Sequence, residues 1–272
     1  MLIDSFNESF FEQLDMRAAR LTAPNALYLL LDGAFVPGLH RKLATENKSL
    51  LFASRPGCND EIADCSPFLT RYVAHDKRMR SLLSRCSGWP MVSLIETSES
   101  LAQLSNRLSV WCVVEADGQR FNFRFADTRR LPSIVQTLDA AQRAQFAGPA
   151  TRYSYVDRTG NLNELDVPRT TAGPAAGPVL NDRQFASLVD DSRADELLVL
   201  LGDRGYEVND CPSVGHARMA AAIQVAVSSE LDEDDVLPWC IWFWQHVEAH
   251  RDCIPISAFE TWQQTLFLEK YQ

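Results

Sequence analysis

The chain has 272 residues, 46% hydrophobic and 23% charged, with a formal net charge of −10. This is the composition of a folded globular protein, with room for one large domain or two ordinary ones, and it excludes a low-complexity or collagen-like chain. No apolar run reaches the length of a membrane span, and the acidic start MLIDSFNESFFEQLD lacks the basic region of a signal peptide, so neither a leader nor a membrane segment is expected.

Charge is unevenly placed. Residues 1–180 hold 20 Lys and Arg against 19 Asp and Glu, whereas residues 181–272 hold 6 against 17. The asymmetry argues for two units and against nucleic acid as a ligand of the second. The acidic part either steers a basic protein partner or simply keeps the surface solvated. The seven Cys (58, 65, 86, 112, 211, 240 and 253) are odd in number, scattered and without a CxxC pair. They read as free thiols in a reducing cytoplasm, with no disulfide framework or zinc site.

From the N-terminus, Asp4 to Leu14 reads as a short amphipathic helix carrying Phe6, Phe10, Phe11 and Leu14. LYLLLD, Leu27 to Asp32, is a continuous apolar run suited to a central strand buried on both faces. Pro37 to Thr45 is predicted helical, with Pro37 in the first turn. Ser49 to Ala53 forms another short element, and ASRPGCNDEIADCSP reads as loop. Phe68 to Val73 is a candidate strand. Asp76 is a candidate N-cap for a helix through Cys86, with Met79, Leu82 and Leu83 inward. Its other face gathers Lys77, Arg78, Arg80 and Arg85, without the interleaved aromatics of a nucleic-acid surface. Met91 to Glu96 reads as a strand, and Ser98 or Ser100 caps a helix through Leu108.

The clearest local signal is VWCVVEADGQRFNFRFADTR, Val110 to Arg129. Asp117-Gly118 suits a two-residue turn in which both residues take positive φ, which predicts a β-hairpin and fixes its register. Glu115 then faces Arg120, Val114 faces Phe121, Val113 faces Asn122, Cys112 faces Phe123 and Trp111 faces Arg124. One face is apolar (Val110, Cys112, Val114, Phe121, Phe123, Phe125). The other offers a Glu115–Arg120 pair and a Trp111–Arg124 cation–π contact. Thr128 to Leu138 and Asp139 to Phe146 are two short helices, and Thr151 to Val156 with Leu162 to Val167 form a second hairpin.

Pro168 to Pro178, PRTTAGPAAGP, is the clearest linker. Beyond it the pattern is helical throughout: Asn181 to Ser192, Arg193 to Asp203, Val214 to Ser228, Asp232 to His250, and a last helix capped by Ser257 through Tyr271. The fold class is therefore α+β: a mixed α/β lobe over residues 1–167 with a mixed sheet and a hairpin, a linker over 168–180, and an acidic helical lobe over 181–272.

Catalytic motifs are scarce: there is no GxSxG, Walker loop, HExxH or GxGxxG. His246 and His250 lie four apart, on one helical face, and with Cys253 are either metal ligands or ordinary surface residues. Asp32 and Asp127 end apolar strands, where carboxylates either act as acid and base or cap the following turn and pair with Arg124, Arg129 or Arg130. Trp239, Trp242, Phe243 and Trp244, with Trp262, Phe267 and Tyr271, form either an exposed patch for a partner or the core of the helical lobe.

Several short motifs in order resemble a known family. These are LYLLLDGAFVPGLHRKL from Leu27, SLLF from Ser49, Pro67-Phe68-Leu69, SLIETSESLAQLSNRLS from Ser93, and RFADTRRLPSIVQTLDAAQRAQFAGP from Arg124 to Pro149. They are similar to the domain of type VI secretion effector adaptors, the Tap or TEC proteins. The family pattern reads LYALLDAA, then a hairpin with DG at its tip, then RFYDPR and a leucine-rich segment ending FGP. This chain has Ala126 and Thr128 where the family favours Tyr and Pro, and Asn106-Arg107-Leu108 where it favours RHL. The resemblance implies a cytoplasmic adaptor without catalytic residues, cofactor or metal, which binds a toxic effector encoded by a neighbouring gene and helps load it onto the VgrG spike. It implies no nucleic-acid or membrane partner. Asp32, Arg124, Asp127 and Arg129 then serve the architecture, and the helical lobe around Trp239 to Trp244 and the last helix contacts the partner. Two alternatives are a scaffold that bridges machine components and a hydrolase using Asp32 and Asp127.

Overall fold

A computed structural model of the chain describes residues 2–168, 177–208, 211–246 and 255–270, with side chains through residue 265 of the last helix. The chain divides into two compact units, Met1–Asp191 and Ser192–Gln272.

The first unit is built on a six-stranded sheet. Its strands are β1 (Ala26–Leu31), β2 (Lys48–Leu50), β3 (Phe68–Arg71) and β4 (Val92–Thr97), and from the second hairpin β7 (Arg152–Val156) and β8 (Leu162–Glu164). The order is β2-β3-β1-β4-β7-β8, and every pairing is antiparallel. The parallel pairing that makes the lobe mixed lies in a separate three-stranded sheet. There β5 (Val113–Ala116) pairs antiparallel with β6 (Gln119–Asn122) and parallel with β9 (Val179–Leu180).

β1 is central, and all six of its residues are buried. Its side chains alternate between two cores. Leu27, Leu29 and Leu31 pack with Phe10 and Leu14 of α1 (Phe10–Arg20), and with Leu82 and Leu83 on the same side. Tyr28 and Leu30 pack on the other side with Leu104, Leu108, Phe125 and Ile134. The continuous apolar run thus reflects cover on both faces, worth about 1.5–3 kcal/mol for each fully buried leucine.

The helices follow their caps. In α3 (Lys77–Ser84) the Asp76 carboxylate accepts from the amides of Arg78 and Met79, and Met79, Leu82 and Leu83 are buried as expected. α4 (Leu101–Ser109) is capped by Ser100, not Ser98, with Gln103 completing a reciprocal box. α5 (Leu131–Thr137) has Pro132 in its first turn, and Asp139 caps α6 (Ala140–Ala147). Arg107 of α4 is buried, paired through two bonds of 2.9 and 2.7 Å with Glu99 and donating to the Phe146 carbonyl at the end of α6.

Several elements differ from expectation. The first helix starts at Phe10 and runs to Arg20, so Asp4 to Ser9 precede it. The helix expected over Pro37 to Thr45 is a 3-10 turn at Leu39–Lys42, because Gly38 at φ 75° breaks the chain before it. The loop segment contains α2 (Asp60–Asp64), capped by the Asn59 side chain accepting from the Ile62 amide.

The hairpin has the predicted register, Val113↔Asn122, Val114↔Phe121 and Glu115↔Arg120, and its turn has φ 48° at Asp117 and 67° at Gly118. It is shorter than predicted. Val110–Cys112 form a 3-10 turn continuing α4, which swings Trp111 inward to 2% exposure. Trp111 packs edge-on to Phe146 at 5.3 Å, so the expected contact with Arg124 does not form.

Residues 169–176 of the expected linker lie outside the described residues. β9 and α7 (Asp182–Asp190), the latter counted in sequence with the helical lobe, pack instead on the first unit. Leu180 is buried, Phe185 lies 4.6 Å from Phe121, and Gln184 donates to the Thr137 carbonyl at 3.0 Å.

The second unit holds α8 (Arg193–Asp203), α9 (Pro212–Ser228), α10 (Glu233–His246) and α11 (Pro255–Lys270), with no strand among its described residues. Ser257 lies inside α11 and does not cap it; Pro255 opens the helix. The core centres on Trp239, fully buried, whose indole N–H donates to the Ala222 carbonyl at 2.9 Å. Phe243, Phe259 and Trp262 surround its ring at 5.0–5.5 Å.

Candidate partner-binding surfaces

The antiparallel pairing of β1 and β4 brings three loops to one end of the sheet: Asp32-Gly33-Ala34-Phe35 after β1, Gly88-Trp89-Pro90 before β4, and Arg124 to Arg129 after β6. Backbone bonds fasten them. The Asp32 amide donates to Met91 O at 3.0 Å, and the Thr128 amide to Pro90 O at 2.9 Å. Gly33 has no room for a side chain, since a Cβ there would sit 2.4 Å from the Ser66 carbonyl oxygen.

Asp32 is 3% exposed. One carboxylate oxygen accepts from the Ala34 amide at 3.0 Å, and the other from the Arg124 guanidinium at 2.9 Å. Burial raises its pKa, Arg124 and the Ala34 amide work against that, and the charge of nearby Asp127 adds to the rise. Asp127 is also buried and accepts from Arg129 three times: from the amide and Nε at 3.1 Å each, and from the terminal guanidinium nitrogen at 2.8 Å. The carboxylates are thus near neighbours, each engaged in a turn-capping bond and an arginine pair. Of the arginines expected nearby, Arg124 pairs with Asp32 and Arg129 with Asp127.

The outer layer was not foreseen from the sequence. The Phe35 ring lies under both guanidinium groups, 5.1 Å from Arg124 and 5.6 Å from Arg129, and stacks on Trp89 at 6.2 Å. Phe35 and Trp89 are half-buried, and the Arg124 side chain is 49% exposed. Buried carboxylates therefore hold two arginines over the Phe35 ring, Arg124 at the surface and Arg129 largely buried. Such an arginine–aromatic platform has the composition of a protein-interface centre. The available signals were a lone Trp bracketed by Gly88 and Pro90 and a Phe four residues past the strand end, neither of which reveals its partner.

In the helical unit the expected aromatic patch divides. Trp239, Phe243 and Trp262 are core. Trp242 and Trp244 are half-buried: Trp242 stacks on His246 at 4.5 Å, and Trp244 on the Arg218 guanidinium at 4.5 Å. The Phe267 side chain and Tyr271 lie outside the described residues, as do His250 and Cys253. His246 itself is bonded to the Trp242 carbonyl at 2.9 Å. No group of three His, Cys, Asp or Glu among the described residues is placed to hold a metal. Burial pushes the Cys86, Cys112 and Cys240 thiols up to about 12, so these three are inert as nucleophiles at neutral pH. No helix among the described residues is long and apolar enough to cross a membrane.

Residues 27–145 match the model of a family described as a domain of unknown function (DUF4123). The matched segment spans β1 to α6 and contains every residue of the arginine–aromatic platform. Neither the curated proteins nor the solved structures include a match to the chain.

Proposed function

We propose that this chain is a non-catalytic, cytoplasmic adaptor that binds a toxic effector of a type VI secretion system and helps load it onto the VgrG spike. The observation that carries this reading is the family match over residues 27–145, because that domain is known from type VI effector adaptors. The matched segment is also where the chain builds its interface-like surface. Phe35, Trp89 and Arg124 are our assignment for partner contact in the first unit, with Asp32, Asp127 and Arg129 holding them in place. In the helical unit the half-buried Trp242 and Trp244 take the effector-facing role. A hydrolytic role for Asp32 and Asp127 is disfavoured, because arginine covers both carboxylates and capping bonds occupy them.

The test is co-expression of the tagged chain with the products of its neighbouring genes. Arg124→Ala and Trp89→Ala should each weaken effector capture by about tenfold, as expected for residues at an interface centre, while circular dichroism stays unchanged. Full capture by both variants would remove the platform from the account.

A further inference from the structure

At the opposite end of β1 from the arginine–aromatic platform, a groove of about 420 Å³ runs between the segment Lys42–Asn47 and the chain joining β3 to α3. Its floor is apolar, formed by Tyr28, Leu43, Met79 and Leu101. At its mouth Val73 is 53% exposed, although it is branched and apolar. The rim carries three exposed cations, Lys42, Arg71 and Arg78, and none of them forms an ion pair among the described residues. Two carboxylates also line the groove. That of Asp76 is committed to the amides of Arg78 and Met79 at the start of α3, which leaves Glu46 as the only one without a capping role.

Unpaired cations around an apolar floor complement a ligand that carries both negative charge and an apolar side chain. A free inorganic anion would leave the floor and Val73 unused. A nucleic acid would call for stacking faces, and the only aromatic ring in the lining, Tyr28, is buried. We propose that this groove docks an acidic segment of a partner protein, with an apolar side chain against the accessible Leu43, Leu101 and Val73 and carboxylates on Lys42, Arg71 and Arg78. The assignment does not depend on the adaptor reading, since the groove lies apart from the platform.

Fluorescence anisotropy with the full chain tests it, using short labelled peptides that alternate Glu with Leu, Lys with Leu, or Glu with Ser. Arg71→Glu with Arg78→Glu is the charge variant, and Val73→Asp, at the mouth, the apolar variant. Arg78→Glu places an acid in the first turn of α3, where the helix dipole favours it, so the fold should hold. The Glu–Leu peptide should bind in a salt-sensitive manner, about tenfold more weakly to the charge variant and several-fold more weakly to the apolar variant. The Lys–Leu peptide should not bind. The proposal is overturned if no Glu–Leu binding is seen, if both variants bind it as the parent does, or if the Glu–Ser peptide or inorganic phosphate competes equally, which would mark a simple anion site. It is also overturned if light scattering shows a dimer that the charge variant dissolves, which would make a second copy the occupant.

Discussion

Asp15 shows how much one side chain can hold. It sits on α1, 6% exposed, and accepts from the Tyr72 hydroxyl at 2.7 Å, the His75 amide at 2.9 Å and the Arg80 guanidinium. Burial opposes its ionisation, but these donors prevail and hold its pKa at about 2, against 3.8 ordinarily. A carboxyl depressed in the folded state stabilises the fold at pH above its unfolded value and loses that contribution as pH falls through its folded value. Acid unfolding followed by circular dichroism should therefore steepen between about pH 4 and pH 2, and Asp15→Asn should flatten that segment while lowering stability at pH 7. Gly33→Ala, whose new methyl would meet the Ser66 carbonyl, should cost about 1–3 kcal/mol in urea melts. At this scale the sequence was half legible. Strand-end carboxylates with Arg124, Arg129 and Arg130 nearby pointed to capping or arginine pairing, but not to which arginine each carboxylate takes. The Phe35–Trp89 stack joins loops more than fifty positions apart, and no local spacing records it.

The hairpin and β1 carry the argument at the scale of elements. A period of two and a turn that demands positive φ set the hairpin's register locally, without help from tertiary contacts. Gly118→Val, at φ 67°, should strain that turn and cost about 1–3 kcal/mol by chemical denaturation. Leu29→Ala, in the fully buried central strand, should cost about 2–5 kcal/mol in the same measurement. The misread elements share a cause. Trp111 faces inward because α4 runs on as a 3-10 turn, and the Pro37–Thr45 helix shrinks to a 3-10 turn after Gly38; in both places the period changes within three or four residues. Periodicity needs a longer window than that to register.

Across the whole molecule, the shift in composition near residue 180 marks a real change of architecture, but contact divides the chain at Asp191 and Ser192. β9 and α7 join the first unit through a short strand pairing, the side chains of Leu180, Phe185 and Leu188 and a few hydrogen bonds, too few residues to leave a mark in composition. The Trp-rich run was ambiguous because core and interface draw on the same residue types. Trp239 resolves as core, and Trp239→Ala should cost about 3–5 kcal/mol in the unfolding of the helical unit, whereas the half-buried Trp242→Ala should cost clearly less. The acidic balance of this part and the arginine–aromatic surface of the other fit a protein that works by binding other proteins.

The most direct test of that account is co-purification. The tagged full chain is co-expressed with each neighbouring gene product, and the eluate is analysed by size exclusion with light scattering and mass spectrometry. The account predicts a stable complex with one large neighbour that is insoluble or toxic when produced without this chain. A lone species with every neighbour would contradict it.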